Sequence, residues 1–260
     1  MRRETHVVVI DSGCMKPPGE FPQLAGYEDL VRGGTVCHDE NGHGTEIVSL
    51  ITSLSPTIKV QVKCIGDRDT DLEVGGQLIA DAIRRAAEDP KNDIICMAFY
   101  LSEDDRISRA IDEAVRRRNG HILFIAAATA ARCSEVRFPA SHRYVIAARP
   151  LDLRGSLWSD RPLVRKSPSE IVIATLGECV PVASLGHPAQ IKGYRSGSSI
   201  AAAILVVIAA TSLECVDSGS ELERKEGMEA ALKGLAEAWR EEAGIEEPPT
   251  SLLMVWDAAE

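Results

Sequence analysis

The sequence lacks the features that mark secreted, metal-binding and disulfide-stabilised proteins. Its seven cysteines are odd in number and scattered, and no two have the C-x-x-C spacing of zinc or redox sites. No apolar segment followed by a small-residue cleavage site precedes Val7, so no signal peptide is indicated. We therefore expect reduced thiols, a cytoplasmic location, and neither a metal ion nor a cofactor.

Positive charge and long apolar runs are also scarce. There are 39 acidic residues against 29 lysines and arginines, which gives a formal net charge of −10. Nucleic acid and anionic membranes are therefore poor partners. The one dense basic cluster, Arg116–Arg118, is expected to be a solvated helix end. The apolar segment after Ser199 is too rich in alanine, and too closely preceded by a polar motif, to span a membrane.

What the sequence does contain is an alternation of short apolar runs and helical periods over 260 residues, 45% of them hydrophobic. Strands are predicted at 7–10, 58–64, 93–99, 121–128, 144–148 and 170–174, and helices at 46–54, 74–88, 107–118, 199–210 and 227–242. This alternation predicts one α/β domain spanning 1–260, with a mostly parallel sheet between two helical layers. The segment 14–39 is predicted to be a loop.

The C-terminal part, 216–260, is predicted to pack on this domain. Its helix at 227–242 has an amphipathic pattern, and a strand at 252–255 is placed at the edge of the sheet. The residues predicted to share the apolar face of this helix are Met228, Ala231, Leu232, Leu235 and Trp239.

Small residues lead directly into an apolar helix at Gly193–Ala210, with Ser199 at the junction. The first turn of a helix has free backbone N–H groups and the positive end of the helix dipole. An oxyanion that forms on a carbonyl attacked by Ser199 would be stabilised by the N–H of the same residue. Taken alone, the motif is more typical of a serine that caps a core helix.

Two further short motifs carry groups that cooperate with a nucleophilic serine. Asp11 ends the apolar run at 7–10 and is followed by a serine and a glycine, and His43 lies between two glycines at the start of a predicted helix. A serine hydroxyl becomes nucleophilic when a histidine accepts its proton, and a carboxylate orients that histidine. An ordinary turn and a lone surface histidine are the alternatives for these two motifs.

In this order and on this strand–helix pattern, the three motifs resemble those of the subtilisin-like serine proteases, the subtilases. The sequences that resemble the family are Val-Val-Val-Ile-Asp-Ser-Gly at 7–13, Asn-Gly-His-Gly-Thr at 41–45, Arg-Phe-Pro-Ala at 137–140 and Gly-Ser-Ser-Ile-Ala at 197–201. The resemblance implies the subtilisin-like three-layer fold and a catalytic triad of Asp11, His43 and Ser199, with Ser199 rather than Ser198 or Ser196 as the nucleophile. It also implies a peptide or protein substrate.

The sequence departs from the family pattern at the oxyanion site. The family's asparagine, whose side-chain amide stabilises the oxyanion, aligns with Ala130, which has no side-chain donor. Thr129 would supply a hydroxyl if the register shifted by one residue, but that hydroxyl reaches less far than an amide. In subtilisin, loss of this amide lowers turnover by about 10²–10³.

The substrate-binding segment departs as well. The family has Ser-Leu-Gly-Gly where this chain has Ala98, Phe99, Tyr100 and Leu101, and the bulk of Tyr100 and Leu101 is predicted to narrow or fill the cleft. Two hypotheses follow: a cytosolic serine endopeptidase with an altered oxyanion site, or a pseudoprotease that acts as a binding or regulatory module. A protease domain that is part of a larger multidomain chain is a third possibility.

Overall fold

A computed structural model describes residues 3–15, 22–66, 75–129, 135–158, 172–184, 187–243 and 253–256. Its strands are β1 (His6–Asp11), β2 (Leu24–Asp29), β3 (Lys59–Cys64), β4 (Asn92–Met97), β5 (Leu123–Ala127), β6 (Val145–Leu151), β7 (Val172–Leu176), β8 (Val180–Ser184), β9 (His187–Arg195) and β10 (Leu253–Trp256). Its helices are α1 (His43–Leu54), α2 (Gly76–Glu88), α3 (Asp105–Arg117), α4 (Ser198–Glu214) and α5 (Lys225–Ala243), with a short 3₁₀ helix at Glu221–Glu223.

In the described part of the chain, eight strands form one sheet in the order β10-β7-β6-β5-β4-β1-β3-β2. Seven of them are parallel, and β10 pairs with β7 in the antiparallel direction at one edge. This confirms the predicted α/β fold with a mostly parallel sheet. β8 and β9 form a separate antiparallel hairpin that leads into α4.

Alternation along the strands divides the core between the two faces of the sheet. Val7 and Val9 of β1 point toward α1 and α4, whereas Val8 and Ile10 point toward α2 and α3. Since both faces are covered, the central strands are apolar throughout, as is expected of a parallel sheet. α4 is buried on nearly all sides, and its apolar composition all round fits that position.

The structure corrects the sequence predictions at three places. The segment 14–39 is not all loop, because β2 forms an edge strand there beside β3; its mixed polar sequence has no clear alternation. The β8–β9 hairpin was not predicted. On α5 the buried apolar residues are Met228, Leu232 and Ala236, and Glu229 is buried beside them; Met228 and Leu232 were predicted, whereas Leu235 is half exposed and Ala236 is buried instead. The side chain of Trp239 lies outside the described residues.

Candidate active site

The side chains predicted to be catalytic come from segments that meet at the carboxyl edge of the sheet. Asp11 is the last residue of β1, Ala98 follows β4, and Thr129 follows β5. His43 begins α1, and Ser199 lies in the first turn of α4. Open parallel sheets place their binding sites at this edge, because the loops that follow the strands converge there.

Two glycines allow α1 to approach the end of β1. A side-chain carbon at Gly44 would lie 2.1 Å from the carbonyl oxygen of Gly13, and one at Gly13 would lie 2.0 Å from that of His38. Gly13 also has a φ of +137°, which side-chain-bearing residues rarely adopt. The close packing of these two turns sets His43 directly beside Asp11.

Asp11 and His43 form a hydrogen bond. The Nδ1–H of His43 donates to Oδ1 of Asp11 at 2.8 Å, and the backbone N–H of Ser12 donates to the same oxygen at 2.8 Å. Asp11 is only 2% exposed, and its Oδ2 is buried without a hydrogen-bond partner among the described residues. This hydrogen bond selects the tautomer of neutral His43 that leaves Nε2 able to accept a proton.

The carboxylates around His43 favour its charged form. Burial on its own would lower the pKa of His43, but the charge and hydrogen bond of Asp11, followed by the charges of Glu46 and Asp39, outweigh burial and raise the pKa to about 9. His43 is therefore mostly protonated at neutral pH. Burial, together with the charge of Asp11, raises the pKa of the Cys96 thiol well above its usual range, so this neighbour stays a neutral thiol.

The hydroxyl of Ser199 donates to the carbonyl oxygen of Ala98 at 2.5 Å. Within the described residues its hydrogen bond is to this carbonyl and not to His43. The backbone N–H groups of the first turn of α4 have no partner inside the helix; the first intrahelical bond there runs from the N–H of Ala201 to the carbonyl of Gly197. The N–H of Ser199 is thus one of these first-turn donors.

Of the two residues predicted for the oxyanion region, only Thr129 lies in the described part of the chain. Its carbonyl accepts a hydrogen bond from the hydroxyl of Ser198, so Thr129 lies against the start of α4, and it is almost fully buried. Ala130 lies outside the described residues.

The predicted substrate-binding residues differ in exposure. Ala98, Phe99 and Leu101 are buried, and the N–H of Leu101 donates to the carbonyl of Phe138 at 2.8 Å. Leu101 packs in the core with α2 and α3, so its side chain does not fill a cleft as predicted. Tyr100 is 40% exposed, and the guanidinium of Arg137 lies over its ring at 5.3 Å. The bulk on the surface of this segment is therefore that of Tyr100.

A buried carboxylate that the sequence analysis missed links the two motifs. Asp39 accepts hydrogen bonds from the backbone N–H groups of Gly42 and Thr45 and from the hydroxyls of Thr45 and Ser12, all between 2.5 and 3.0 Å. The Ser12 hydroxyl in turn accepts from the N–H of Gly44 at 3.0 Å. An aspartate four residues before the start of α1 was the available signal.

In the residues described here, no group of three or more histidine, cysteine or acidic side chains is arranged to hold a metal ion. None of the helices traced in the described ranges is both long and apolar enough to cross a membrane.

A protein-family model described as the subtilase family matches residues 3–244. The chain belongs to the subtilase family of serine proteases. A search by sequence among curated proteins finds no match.

Solved structures of proteases share the fold. The prenylagaramide maturation protease PagA is 20% identical with a TM-score of 0.64, covering 82% of this chain and 76% of that one. A psychrophilic protease is 19% identical with a TM-score of 0.69, covering 90% of this chain and 84% of that one. Sphericase is 18% identical with a TM-score of 0.68, covering 91% of this chain and 86% of that one. Because the sequence identities are this low, the similarity to these proteases is evidence of a shared fold only.

Proposed function

We propose that this subtilase is a serine endopeptidase in which Asp11, His43 and Ser199 act as the catalytic triad. The observation that carries the proposal is the hydrogen bond from His43 Nδ1 to a buried Asp11, with Ser199 in the first turn of a helix that starts at the same edge of the sheet. A histidine oriented by a carboxylate beside a serine is the arrangement that makes a hydroxyl nucleophilic. The substrate proposed is a peptide or protein.

The proposed reaction is acyl transfer to water. Neutral His43 accepts the hydroxyl proton at Nε2 while the oxygen of Ser199 bonds to the peptide carbonyl carbon. The imidazolium then gives that proton to the leaving amine, and the C–N bond breaks. A water molecule then attacks the acyl-enzyme with His43 again accepting and returning the proton, and the peptide's new carboxylic acid is released from Ser199. Before attack, the Ser199 hydroxyl has to exchange its hydrogen bond to the Ala98 carbonyl for one to His43.

The oxyanion is proposed to be stabilised by the backbone N–H of Ser199 at the start of α4. The dipole of a 17-residue helix adds a favourable positive potential at this end. Thr129 lies against the same turn, and Ala130 adds no side-chain donor. This set of donors is weaker than one that includes an asparagine side-chain amide, so we expect a slow enzyme.

The proposal is tested by labelling the purified protein with a fluorophosphonate probe, which reacts with activated serines. We expect labelling of the wild-type protein and none of Ser199→Ala. Ser196→Ala is the matched control, because the Ser196 hydroxyl accepts a hydrogen bond from the N–H of Cys179 and has no proposed part in the chemistry. We expect the control to be labelled like the wild type.

Absence of labelling, or labelling that does not depend on Ser199, would contradict the proposal. If the folded wild-type protein is not labelled between pH 7 and pH 10, the proposed peptidase function is wrong. The other hypothesis, a pseudoprotease whose site serves as a binding or regulatory module, would then be favoured. Equal labelling of the wild type and Ser199→Ala would assign the reactive serine elsewhere in the chain.

A further inference from the structure

An ion pair joins the segment that carries Ser199 to the helix that carries His43. Arg195, the last residue of β9, donates from Nε to one carboxylate oxygen of Glu46 at 3.0 Å, and its Nη2 lies 2.7 Å from the other. Glu46 lies three residues after His43 on α1, and Arg195 lies four residues before Ser199. The Glu46 side chain is 13% exposed and that of Arg195 is 54% exposed, so water reaches this forked contact mainly from the Arg195 side.

The position of this pair matters because His43 is already surrounded by negative charge. Asp11 faces it from β1, Asp39 from the loop before α1, and Glu46 from one turn along its own helix. The one cation paired with any of these three carboxylates in the described residues is Arg195. Without it, the negative charge of Glu46 would act on His43 uncompensated.

We propose that Arg195 and Glu46 are positioning residues that set how readily His43 gives up its proton and that hold the Ser199 segment in register with α1. This inference rests on the proposed function, in which His43 works as a base only when it is neutral. The positive charge of Arg195 compensates the negative charge of Glu46 and so favours neutral His43. The planar guanidinium of Arg195 also fixes the orientation of β9 relative to α1.

The two charges should act on His43 in opposite directions. Glu46→Gln removes an anion and leaves the cation of Arg195, so the pKa of His43 should fall. Arg195→Gln leaves Glu46 uncompensated, so the pKa should rise. Charges one helical turn apart at a partly exposed site should shift it by roughly 0.5–1 unit in each direction. In the double variant the two changes should largely cancel.

The first measurement is an NMR titration of the histidine rings with nitrogen-15 labelling, which needs no activity. We expect opposite shifts for the two single variants and a value within about 0.2 unit of wild type for the double variant. Arg195→Lys, which keeps the charge but loses the fork, should restore the His43 pKa. The control pair is Arg84 and Glu113, in exposed contact at 2.8 Å on α2 and α3; neutralising either should leave the pKa of His43 unchanged.

The second measurement is the pH dependence of fluorophosphonate labelling in the same variants. Its midpoint should move with the pKa of His43, lower for Glu46→Gln and higher for Arg195→Gln. Shifts of the same sign, or shifts below about 0.2 unit in both single variants, would overturn the inference and leave an ordinary surface ion pair. If the wild type is not labelled at all, the proposed function fails, while the NMR titration still decides this inference.

Discussion

The pH dependence of labelling tests the proposed role of His43 most directly. Only neutral His43 can accept the proton of Ser199, and its pKa is raised to about 9 by the surrounding carboxylates. About 1% of the molecules then have a neutral His43 at pH 7, about 10% at pH 8 and half at pH 9. A histidine with the ordinary value of 6.5 would be about 75% neutral at pH 7.

These fractions predict the size of the effect. The second-order rate constant for fluorophosphonate labelling should rise about tenfold per unit between pH 6 and pH 8, and by about 50-fold in all from pH 7 to pH 9. An unperturbed histidine would give an increase of less than twofold over that interval. The rate constant should be measured at each pH against Ser199→Ala, with circular dichroism used to confirm that the fold is retained.

Asp11→Asn provides an internal check, because it removes the largest charge acting on His43. The midpoint of the pH profile should move down, since the imidazolium loses its anionic partner. The plateau rate should fall by a factor on the order of 10⁴, as expected when a triad histidine loses the carboxylate that orients it. A wild-type rate constant that changes less than twofold between pH 7 and pH 9 would refute this account of the site.

Three further predictions test the fold and the oxyanion site. Asp39→Ala should lower the free energy of unfolding in urea by about 2–4 kcal/mol, because buried donors lose their acceptor, whereas exposed Glu40→Ala should change it by less than about 0.5 kcal/mol. Leu232→Ala should cost about 2–5 kcal/mol and Leu235→Ala much less, and equal losses would contradict the observed face of α5. Ala130→Asn should raise peptide turnover roughly tenfold or more, and unchanged turnover would contradict the proposed weakness of the oxyanion site.

The sequence predicted the parts of the fold that carry a strong local signal. The buried strands β1, β4 and β5 are short apolar runs, and α4 follows an unbroken apolar segment, so periodicity and length were enough. β2 was missed because an edge strand with a mixed polar sequence has no clear period. The β8–β9 hairpin was missed because its pairing includes register shifts and lacks a short turn signal.

The candidate site residues could be proposed from the sequence, but their contacts could not. Asp11, His43 and Ser199 follow from short motifs, because glycines and element ends leave a local pattern. The pairing of Glu46 with Arg195 joins residues 149 positions apart, and no local pattern indicates it. Leu101 likewise pairs with Phe138, which lies in a distant segment of the chain. Such contacts arise from the tertiary fold, so one sequence does not reveal them.

The hydrogen bond of Ser199 and the charge of His43 fit one another. A protonated imidazole has no free lone pair at Nε2, so a nearby hydroxyl finds no acceptor there and must donate elsewhere. The Ala98 carbonyl, 2.5 Å from the Ser199 oxygen, is that acceptor. In the proposed mechanism, loss of the proton from His43 restores an acceptor at Nε2, to which the Ser199 hydroxyl then donates. Under the proposed mechanism, one proton on His43 therefore controls both the base and the orientation of the nucleophile, and the carboxylates around His43 favour the protonated form.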